Sequence, residues 1–365
     1  MPEETNANVA RQNRQHTQLS DTPEAIRPNR RDLLSYAGLA AASVIPLAAC
    51  SAPTTAQAPA EETPPMWTQE YWAQKGDVQL YMYRKRLGAP VEGEAPRPVL
   101  FFVHGSSTSG RSNFDLEVPE AGEYSLMNVF ARLGYDTWTM DFEGYGRSTI
   151  TDTTANVQHG VEDLIVATEL LERETGLTRF HFSGQSSGAL RAGAFAMARP
   201  DRVDRLVLAA FTYTGEGSPT LIERARNVEF YRNNIRRPRN RAMMASIFTR
   251  DRPGTGDSRV AEALADAELA LSDSAPTGTY LDMTANLPVV DPTRVLAPVL
   301  LIRGVYDGIA TEEDLTNFFV QLPNHDRQYV ILPGLSHSVH LGYNRAGFWH
   351  AVQSFLTMPP LAAEV

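Results

Sequence analysis

Short apolar runs alternate with helix-like patterns along most of the chain. Seven of these runs predict strands, at residues 77–84, 98–103, 135–141, 178–183, 203–211, 298–303 and 327–332. Between most of them apolar residues recur at helical spacing, as at Val161, Leu164, Ile165, Thr168 and Leu171. Alternating strands and helices predict a mostly parallel sheet with helices on both faces. Because the first strands precede any helix, we expect an antiparallel hairpin at one edge.

One connection between expected strands is too long for a single crossover helix. About 85 residues separate Phe211 from Pro298, and structureless loops of this length are uncommon in compact domains. Helix-like stretches occur inside it, at 221–231 and along the stripe of Val260, Leu264, Ala267 and Leu271. The pattern therefore predicts a helical insertion over residues 212–292, after the sixth strand.

The pentapeptide Gly-Gln-Ser-Ser-Gly at 184–188 lies between an expected strand and an expected helix at 189–198. A G-x-S-x-G sequence in that position is typical of a nucleophile elbow, a sharp turn that exposes its central serine. A side chain at position 184 or 188 is expected to collide with the neighbouring strand or helix. Ser186 is therefore the candidate nucleophile.

A serine nucleophile needs a base to take its proton, and the base needs an acid to orient it. Asp307 follows the strand at 298–303, and His337 follows the strand at 327–332 after a short turn. Serine, acid and histidine thus occur in the order expected for this kind of sheet, each at a strand's carboxyl end. His340 and His350 are rival bases, but both are predicted to belong to the last helix.

Donors for a developing oxyanion are expected upstream. The strand at 98–103 ends in His104-Gly105-Ser106, and the N–H after such a His-Gly pair is a usual oxyanion-hole donor, together with the N–H that follows the nucleophile. The backbone N–H groups of Ser106 and Ser187 are therefore the candidates. His104 is interpreted as a residue that shapes the loop.

Over residues 75–358 the chain resembles the α/β-hydrolase superfamily. The resemblance rests on His104-Gly105, the D-F-E-G-Y-G-R-S sequence at 141–148, the elbow, Asp307 and His337. It implies an α/β-hydrolase fold with a mostly parallel eight-stranded sheet, and it makes residues 212–292 a helical cap over the active site. Asp141 has a structural role in this resemblance. A serine hydrolase that acts through an acyl-enzyme and needs no cofactor is implied.

The fold serves many reactions, so the substrate stays open. We interpret the protein as a serine esterase that acts on a small-molecule carboxylic ester. One alternative is hydrolysis of an amide, peptide or C–C bond by the same triad. A second is a non-hydrolytic role, as a ligand-binding protein or a cofactor-free oxygenase.

Charge excludes one class of partner. The chain has 33 basic and 43 acidic residues and a net charge of −10, which argues against nucleic-acid binding, and no metal-ligand spacing occurs. The range 232–241 holds five arginines, with Arg250 and Arg252 following. A solvated basic face is favoured for this arginine cluster, and docking of an anionic substrate or of lipid headgroups is the alternative. The oligomeric state stays open.

The N-terminal residues predict export. Arg30-Arg31 resembles a twin-arginine signal, an Ala-rich apolar stretch follows, and Leu47-Ala48-Ala49-Cys50 resembles a bacterial lipobox. Cys50 is the single cysteine of the sequence and is the candidate lipidation site. A membrane tether through Cys50 is expected at the cell envelope, in the periplasm or at the cell surface. Ser51 after the cysteine favours the outer membrane over the inner one.

These inferences divide the chain into four parts. Residues 1–49 are the expected export signal, and residues 50–65, rich in Ala, Pro, Thr and Glu, are an expected flexible tether. The hydrolase core is expected at 66–211 and 293–365. The cap is expected at 212–292.

Overall fold

The computed structural model describes residues 64–359. Ten strands occur in this part of the chain: β1 (Met66–Lys75), β2 (Val78–Leu87), β3 (Val99–Val103), β4 (Asp136–Met140), β5 (Phe180–Gln185), β6 (Val203–Ala209), β7 (Arg236–Pro238), β8 (Ser274–Pro276), β9 (Val299–Gly304) and β10 (Arg327–Leu332). Its helices are α1 (Gly110–Phe114), α2 (Leu126–Arg132), α3 (Val157–Thr175), α4 (Ser187–Ala198), α5 (Pro219–Ala225), α6 (Val228–Asn233), α7 (Arg241–Thr249), α8 (Ser258–Leu269), α9 (Gly278–Ala285), α10 (Glu312–Val320) and α11 (Arg345–Leu356). The predicted leader, tether and Cys50 lie outside the described residues, apart from positions 64 and 65.

Eight strands form one sheet in the order β1-β2-β4-β3-β5-β6-β9-β10. β1 pairs with β2 and β2 with β4 in antiparallel fashion, whereas every other neighbouring pair is parallel. The expected eight-stranded, mostly parallel α/β-hydrolase sheet is confirmed, and so is the antiparallel edge. β1 is absent from the seven predicted strands because its side chains are mostly exposed or only partly buried, so its apolar signal is weak.

Apolar side chains bury both faces of the sheet. On one face α3, α4 and α10 contribute residues such as Leu164, Phe195 and Phe318 to a core cluster. On the other face α2 and α11 contribute residues such as Phe130 and Phe355. This two-sided burial explains why the central strands are continuous apolar runs.

The segment between β6 and β9 contains α5 to α9 together with a two-stranded antiparallel ribbon, β7–β8. The ribbon was not predicted. The predicted stripe on α8 is wrong at one end, because Leu271 is 41% exposed whereas Glu268 is fully buried. Val260 and Leu264 do face a small core, which Met244 shares.

Among residues 64–359, no helix is both long enough and apolar enough to cross a membrane.

Candidate active site

Ser186 occupies the turn between β5 and α4 in a strained conformation. Its φ is 57° and its ψ is −125°, values that a residue with a Cβ rarely adopts. Its N–H donates to the carbonyl oxygen of Ala209 at 2.9 Å, which ties the turn to β6. Gln185 and Ser187 are buried, while Ser186 is partly exposed. The turn therefore presents the Ser186 hydroxyl to the space above the sheet.

The two glycines of the elbow are required by close backbone approach. A Cβ at Gly184 would lie 2.5 Å from the carbonyl oxygen of Gly188, and a Cβ at Gly188 would lie 2.5 Å from that of His104. Real Cβ atoms essentially never come so close to a neighbouring atom. The first contact is with α4 and the second with the loop after β3, in agreement with the steric reason inferred from the sequence.

Ser186, His337 and Asp307 form one chain of hydrogen bonds. The Nε2 atom of His337 lies 3.0 Å from Oγ of Ser186, and its Nδ1 atom lies 2.9 Å from Oδ1 of Asp307. Each residue follows the carboxyl end of a different strand, β5, β10 and β9 respectively. The structure therefore brings together the three residues that the motif order singled out.

Asp307 is held in its ionised form. Burial alone raises the pKa of its carboxyl, but the charge and hydrogen bond of His337 outweigh burial, so the pKa lies below its usual value. The N–H of Ile309 also donates to Oδ1 at 3.0 Å. A carboxylate bonded to Nδ1 leaves Nε2 free to accept the serine proton.

The candidate oxyanion donors lie beside Ser186. In the described part of the chain, the N–H groups of Ser106 and Ser187 donate to no protein acceptor. The two residues are joined through their hydroxyls, since Oγ of Ser106 donates to Oγ of Ser187 at 2.7 Å. Thr279 of α9 donates in turn to Oγ of Ser106 at 2.8 Å. The inserted segment thus helps to position the loop that carries one of the candidate donors.

His104 and Asp141 have structural contacts. Nε2 of His104 accepts a hydrogen bond from the N–H of Phe142 at 3.1 Å, and its Nδ1 lies 2.8 Å from the carbonyl oxygen of Gly105. Burial, followed by the charge of Arg191, lowers the pKa of His104 well below its usual value. Asp141 accepts from the N–H groups of Gly110 and Arg147. Both side chains therefore hold loops together.

The cavity above Ser186 is small and partly built by the inserted segment. Its volume is about 40 Å³, below the several hundred Å³ typical of ligand sites. Arg224, Ile247, Arg250 and Leu264 of the insertion line it together with Ser186. From the sequence, Arg250 was named only as following the arginine cluster, for which docking of an anionic substrate was the alternative, and Arg224 was not singled out.

Two further cavity residues were missed. His340 was predicted to belong to the last helix, which is wrong: it precedes α11 and lines the cavity with Asn113. Both side chains are buried, and among the described residues Nε2 of His340 and Nδ2 of Asn113 have no hydrogen-bond partner. Burial lowers the pKa of His340 to about 4, so its imidazole is neutral near pH 7. A polar substrate group could satisfy both atoms.

The arginine cluster is only partly solvated. Arg232 and Arg241 are exposed and paired with acidic neighbours. In contrast, Arg239 is buried against Glu268, and Arg236 donates to the carbonyl oxygen of Gly144 at 2.9 Å. The favoured interpretation of a solvated basic face is therefore wrong for Arg236 and Arg239, which join the insertion to the rest of the fold.

Residues 64–359 contain no group of three or more His, Cys, Asp or Glu side chains placed to hold a metal ion.

Comparison with known families agrees with this geometry. A family model described as Hydrolase_4, serine aminopeptidase S33, matches residues 120–342. That span exceeds half of the chain and contains Ser186, Asp307 and His337. The chain belongs to this family of α/β-hydrolases. The Hydrolase_4 match begins after the His104-Gly105 loop, so the candidate donor at Ser106 lies outside it.

Curated relatives carry names from one reaction class. A 2-hydroxy-6-oxononadienedioate/2-hydroxy-6-oxononatrienedioate hydrolase of Paraburkholderia phymatum is 32% identical over 155 residues, 40% of this chain and 44% of the relative. The enzyme named hydrolase 2 of that type, from Pseudomonas putida, is 25% identical over 75% of this chain and 87% of its own length. The chain thus matches less than half of the first relative and most of the second.

Solved structures share the fold. The 2-hydroxy-6-oxo-6-phenylhexa-2,4-dienoate hydrolase of Rhodococcus sp. strain RHA1 superposes with a TM-score of 0.57 at 17% identity, covering 80% of this chain and 100% of that one. The enol-lactonase of Burkholderia xenovorans LB400 gives a TM-score of 0.56 at 19% identity, covering 79% and 100%. At these identities the likeness concerns the fold alone.

Proposed function

We propose that this protein is a serine hydrolase that cleaves a carboxylic ester through an acyl-enzyme. The observation that carries the proposal is the hydrogen-bonded chain from Ser186 through His337 to Asp307, with distances of 3.0 and 2.9 Å. A serine hydroxyl is a poor nucleophile until a base takes its proton, and this arrangement supplies the base. Membership of the Hydrolase_4 family supports the same class of enzyme.

The proposed reaction has two halves. Oγ of Ser186 attacks the ester carbonyl while Nε2 of His337 takes the hydroxyl proton, and Asp307 stabilises the imidazolium. The oxyanion accepts hydrogen bonds from the N–H groups of Ser106 and Ser187, a pair of donors worth several kcal/mol in such sites. His337 then passes its proton to the leaving alcohol. Water, deprotonated by His337, releases the acid and restores Ser186.

The cavity restricts access to this chemistry. At about 40 Å³ it holds only a few small groups, so we infer that the side chains of the insertion move when a substrate binds. A covering segment excludes water from the site and limits the size of the acyl group.

Hydrolysis of a C–C bond is the second candidate. It is favoured by the names of the curated relatives, one of which aligns with 75% of this chain. The unpaired polar atoms of Asn113 and His340 also suit a substrate rich in oxygen better than a plain alkyl ester. In that reaction Oγ of Ser186 adds to a ketone carbonyl, and the tetrahedral adduct breaks its C–C bond to give the acyl-enzyme, while the carbon leaving group takes the proton held by His337.

A substrate panel tests the proposal. It contains p-nitrophenyl esters of graded chain length, matching p-nitroanilides, and a 2-hydroxy-6-oxo-dienedioic acid whose cleavage shortens its conjugated system. We expect the highest kcat/KM for an ester and a kcat lowered by roughly 10⁴-fold or more in Ser186→Ala. Faster cleavage of the dienedioic acid would replace the ester proposal with the C–C one.

Labelling by a fluorophosphonate separates catalysis from pure ligand binding. We expect the probe to modify Ser186 in the native protein and not in Ser186→Ala. A native protein that stays unlabelled and turns over no panel member would favour a non-hydrolytic role.

The compartment is part of the proposal as well. Arg30-Arg31, the apolar stretch after it and Cys50 support export of the protein and its attachment to the cell envelope by lipid on Cys50. Two acyl chains suffice for stable anchoring, whereas one binds only reversibly.

A further inference from the structure

Arg224 is a cation without a counter-ion at the active-site cavity. In the part of the chain that the structure describes, its guanidinium forms no ion pair, and its one hydrogen bond goes to Sδ of Met283 at 3.7 Å. Other arginines of the insertion do have carboxylate partners, including Arg226 with Glu223 and Arg239 with Glu268. The guanidinium carbon of Arg224 also lies 5.4 Å from the ring centroid of Tyr280, but no carboxylate balances its charge, and an anionic ligand would do so.

A second guanidinium stands beside the first. Arg250 lines the same cavity, and its side chain is 24% exposed. Burial, followed by the positive charge of Arg250, lowers the pKa of Arg224 to about 10. Arg224 therefore stays protonated at neutral pH, and two guanidinium groups line the cavity that contains Ser186.

The lining of this cavity adds no acid to these two cations, and the Asp251 carboxylate that pairs with Arg250 is outside that lining. Its lining among the described residues comprises hydroxyl, amide, imidazole, apolar and guanidinium groups, and contains no carboxylate. Asp307 lies behind His337 and is engaged by it. The local field inside the cavity therefore favours an anion.

The two arginines are shared with a larger cavity. A second cavity of about 400 Å³ also has Arg224 and Arg250 in its lining. That cavity already contains the carboxylates of Glu223 and Asp251, with Oδ1 of Asp251 3.4 Å from Nε of Arg250. An anion is consequently better accommodated in the cavity that contains Ser186.

We propose that Arg224 and Arg250 form a carboxylate-binding subsite of the active-site cavity, so that the preferred substrate carries a carboxylate away from its scissile bond. Guanidinium groups bind carboxylates through paired, charge-assisted hydrogen bonds, which fix orientation as well as charge. The inference rests on the proposed hydrolase function, and it names the class of substrate for that site.

The test compares acidic esters with neutral esters of matched size. The pairs are mono-p-nitrophenyl adipate with p-nitrophenyl hexanoate, and p-carboxyphenyl acetate with phenyl acetate. We expect native enzyme to favour the acidic member of at least one pair by about 10-fold or more in kcat/KM. The preference is expected to shrink as salt is raised.

Variants locate the preference. Arg224→Met is expected to remove most of it by raising KM for the acidic ester, with the neutral ester changed less than about 3-fold, and Arg250→Gln should act in the same direction. Arg224→Lys should retain part of the preference. Arg226→Gln, on the same helical segment but with a 72% exposed side chain, is the matched control and should behave as native enzyme.

Two outcomes overturn the subsite. One is native enzyme that hydrolyses both members of each pair equally well, and the other is Arg224→Met that loses equal activity on both. Either result leaves the hydrolase proposal intact.

If native enzyme hydrolyses neither class of ester, the ester proposal fails, and calorimetry then decides the subsite by itself. Adipate should bind Ser186→Ala at least about 10-fold more tightly than Ser186→Ala/Arg224→Met. Equal affinity for the two proteins would reject the subsite.

Discussion

Arg239 and Glu268 form a buried ion pair that joins the insertion to the loop beside the nucleophile. Nη1 of Arg239 lies 2.7 Å from Oε2 of Glu268, and their side chains are 2% and 0% exposed. Oε1 of Glu268 accepts from the N–H of Ser109 at 2.6 Å, and Nη1 of Arg239 also donates to the carbonyl oxygen of Ser107 at 2.8 Å. The pair therefore holds the loop that carries the candidate donor at Ser106.

We predict that Glu268→Gln destabilises the protein by about 3–5 kcal/mol, because Arg239 is left as a buried cation without a charged partner. The thermal midpoint should fall by roughly 10 °C, and kcat should fall as the Ser106 loop loosens. Calorimetry and ester kinetics check the two effects. Arg241→Gln, which removes an exposed pair with Asp266, is the control and should change neither; a native-like midpoint for Glu268→Gln would contradict the prediction.

We predict that Ser186→Ala lowers kcat by roughly 10⁴-fold or more while substrate still binds, because the nucleophile alone is removed. Asp307→Asn should lower kcat less than loss of the serine, since His337 keeps its place but loses the charge that stabilises its protonated form. Steady-state kinetics and equilibrium binding of substrate to Ser186→Ala provide the check. Native-like turnover by Ser186→Ala would show that another residue is the nucleophile.

We predict that His340 lowers the stability of the fold as the pH falls below the ordinary pKa of a histidine, about 6.5. Burial lowers the pKa of His340 to about 4 in the folded protein, whereas the unfolded value is about 6.5. Between these values the unfolded chain binds a proton that the folded protein does not, so stability is lost as pH falls from about 6.5 toward 4. The loss assigned to this residue is at most about 3 kcal/mol.

The measurement is urea unfolding of native protein and His340→Gln at pH 7 and at pH 5. The variant should lose less stability than native protein over this interval, because its side chain does not titrate. His104 titrates in the same direction but is present in both proteins, so the difference between them isolates His340. An identical loss in both would refute the assignment.

We predict that native protein partitions with membranes and is released by detergent but not by high salt, because several acyl chains hold it firmly. Cys50→Ser should abolish lipidation and yield active enzyme in the soluble fraction if another peptidase removes the leader. Replacing Arg30 and Arg31 by lysine should leave the precursor inside the cell. Mass spectrometry of the mature N-terminus decides, and an unmodified N-terminus beyond residue 50 would rule out the lipid anchor.

The sequence by itself determined the class of fold and the three side chains that meet at its edge. Strands β2 to β6, β9 and β10 are locally apolar, and Ser186, Asp307 and His337 each follow such a strand. The G-x-S-x-G elbow and the order of serine, acid and histidine then singled out the three residues. Parallel strands place their carboxyl ends at one edge, which brings residues 151 positions apart to within 3.0 Å.

Only the tertiary structure decided how the cavity is closed and charged. Arg224 and Arg250 come from the insertion, Asn113 from α1 and His340 from the loop before α11, so no local pattern marks them as neighbours. The sequence likewise does not predict the burial of Glu268 and Arg239, because a charged residue is expected at the surface unless its partner is known. A buried charge is stabilised by partners that the fold brings next to it from distant parts of the chain. Periodicity along the chain predicts burial only for apolar side chains.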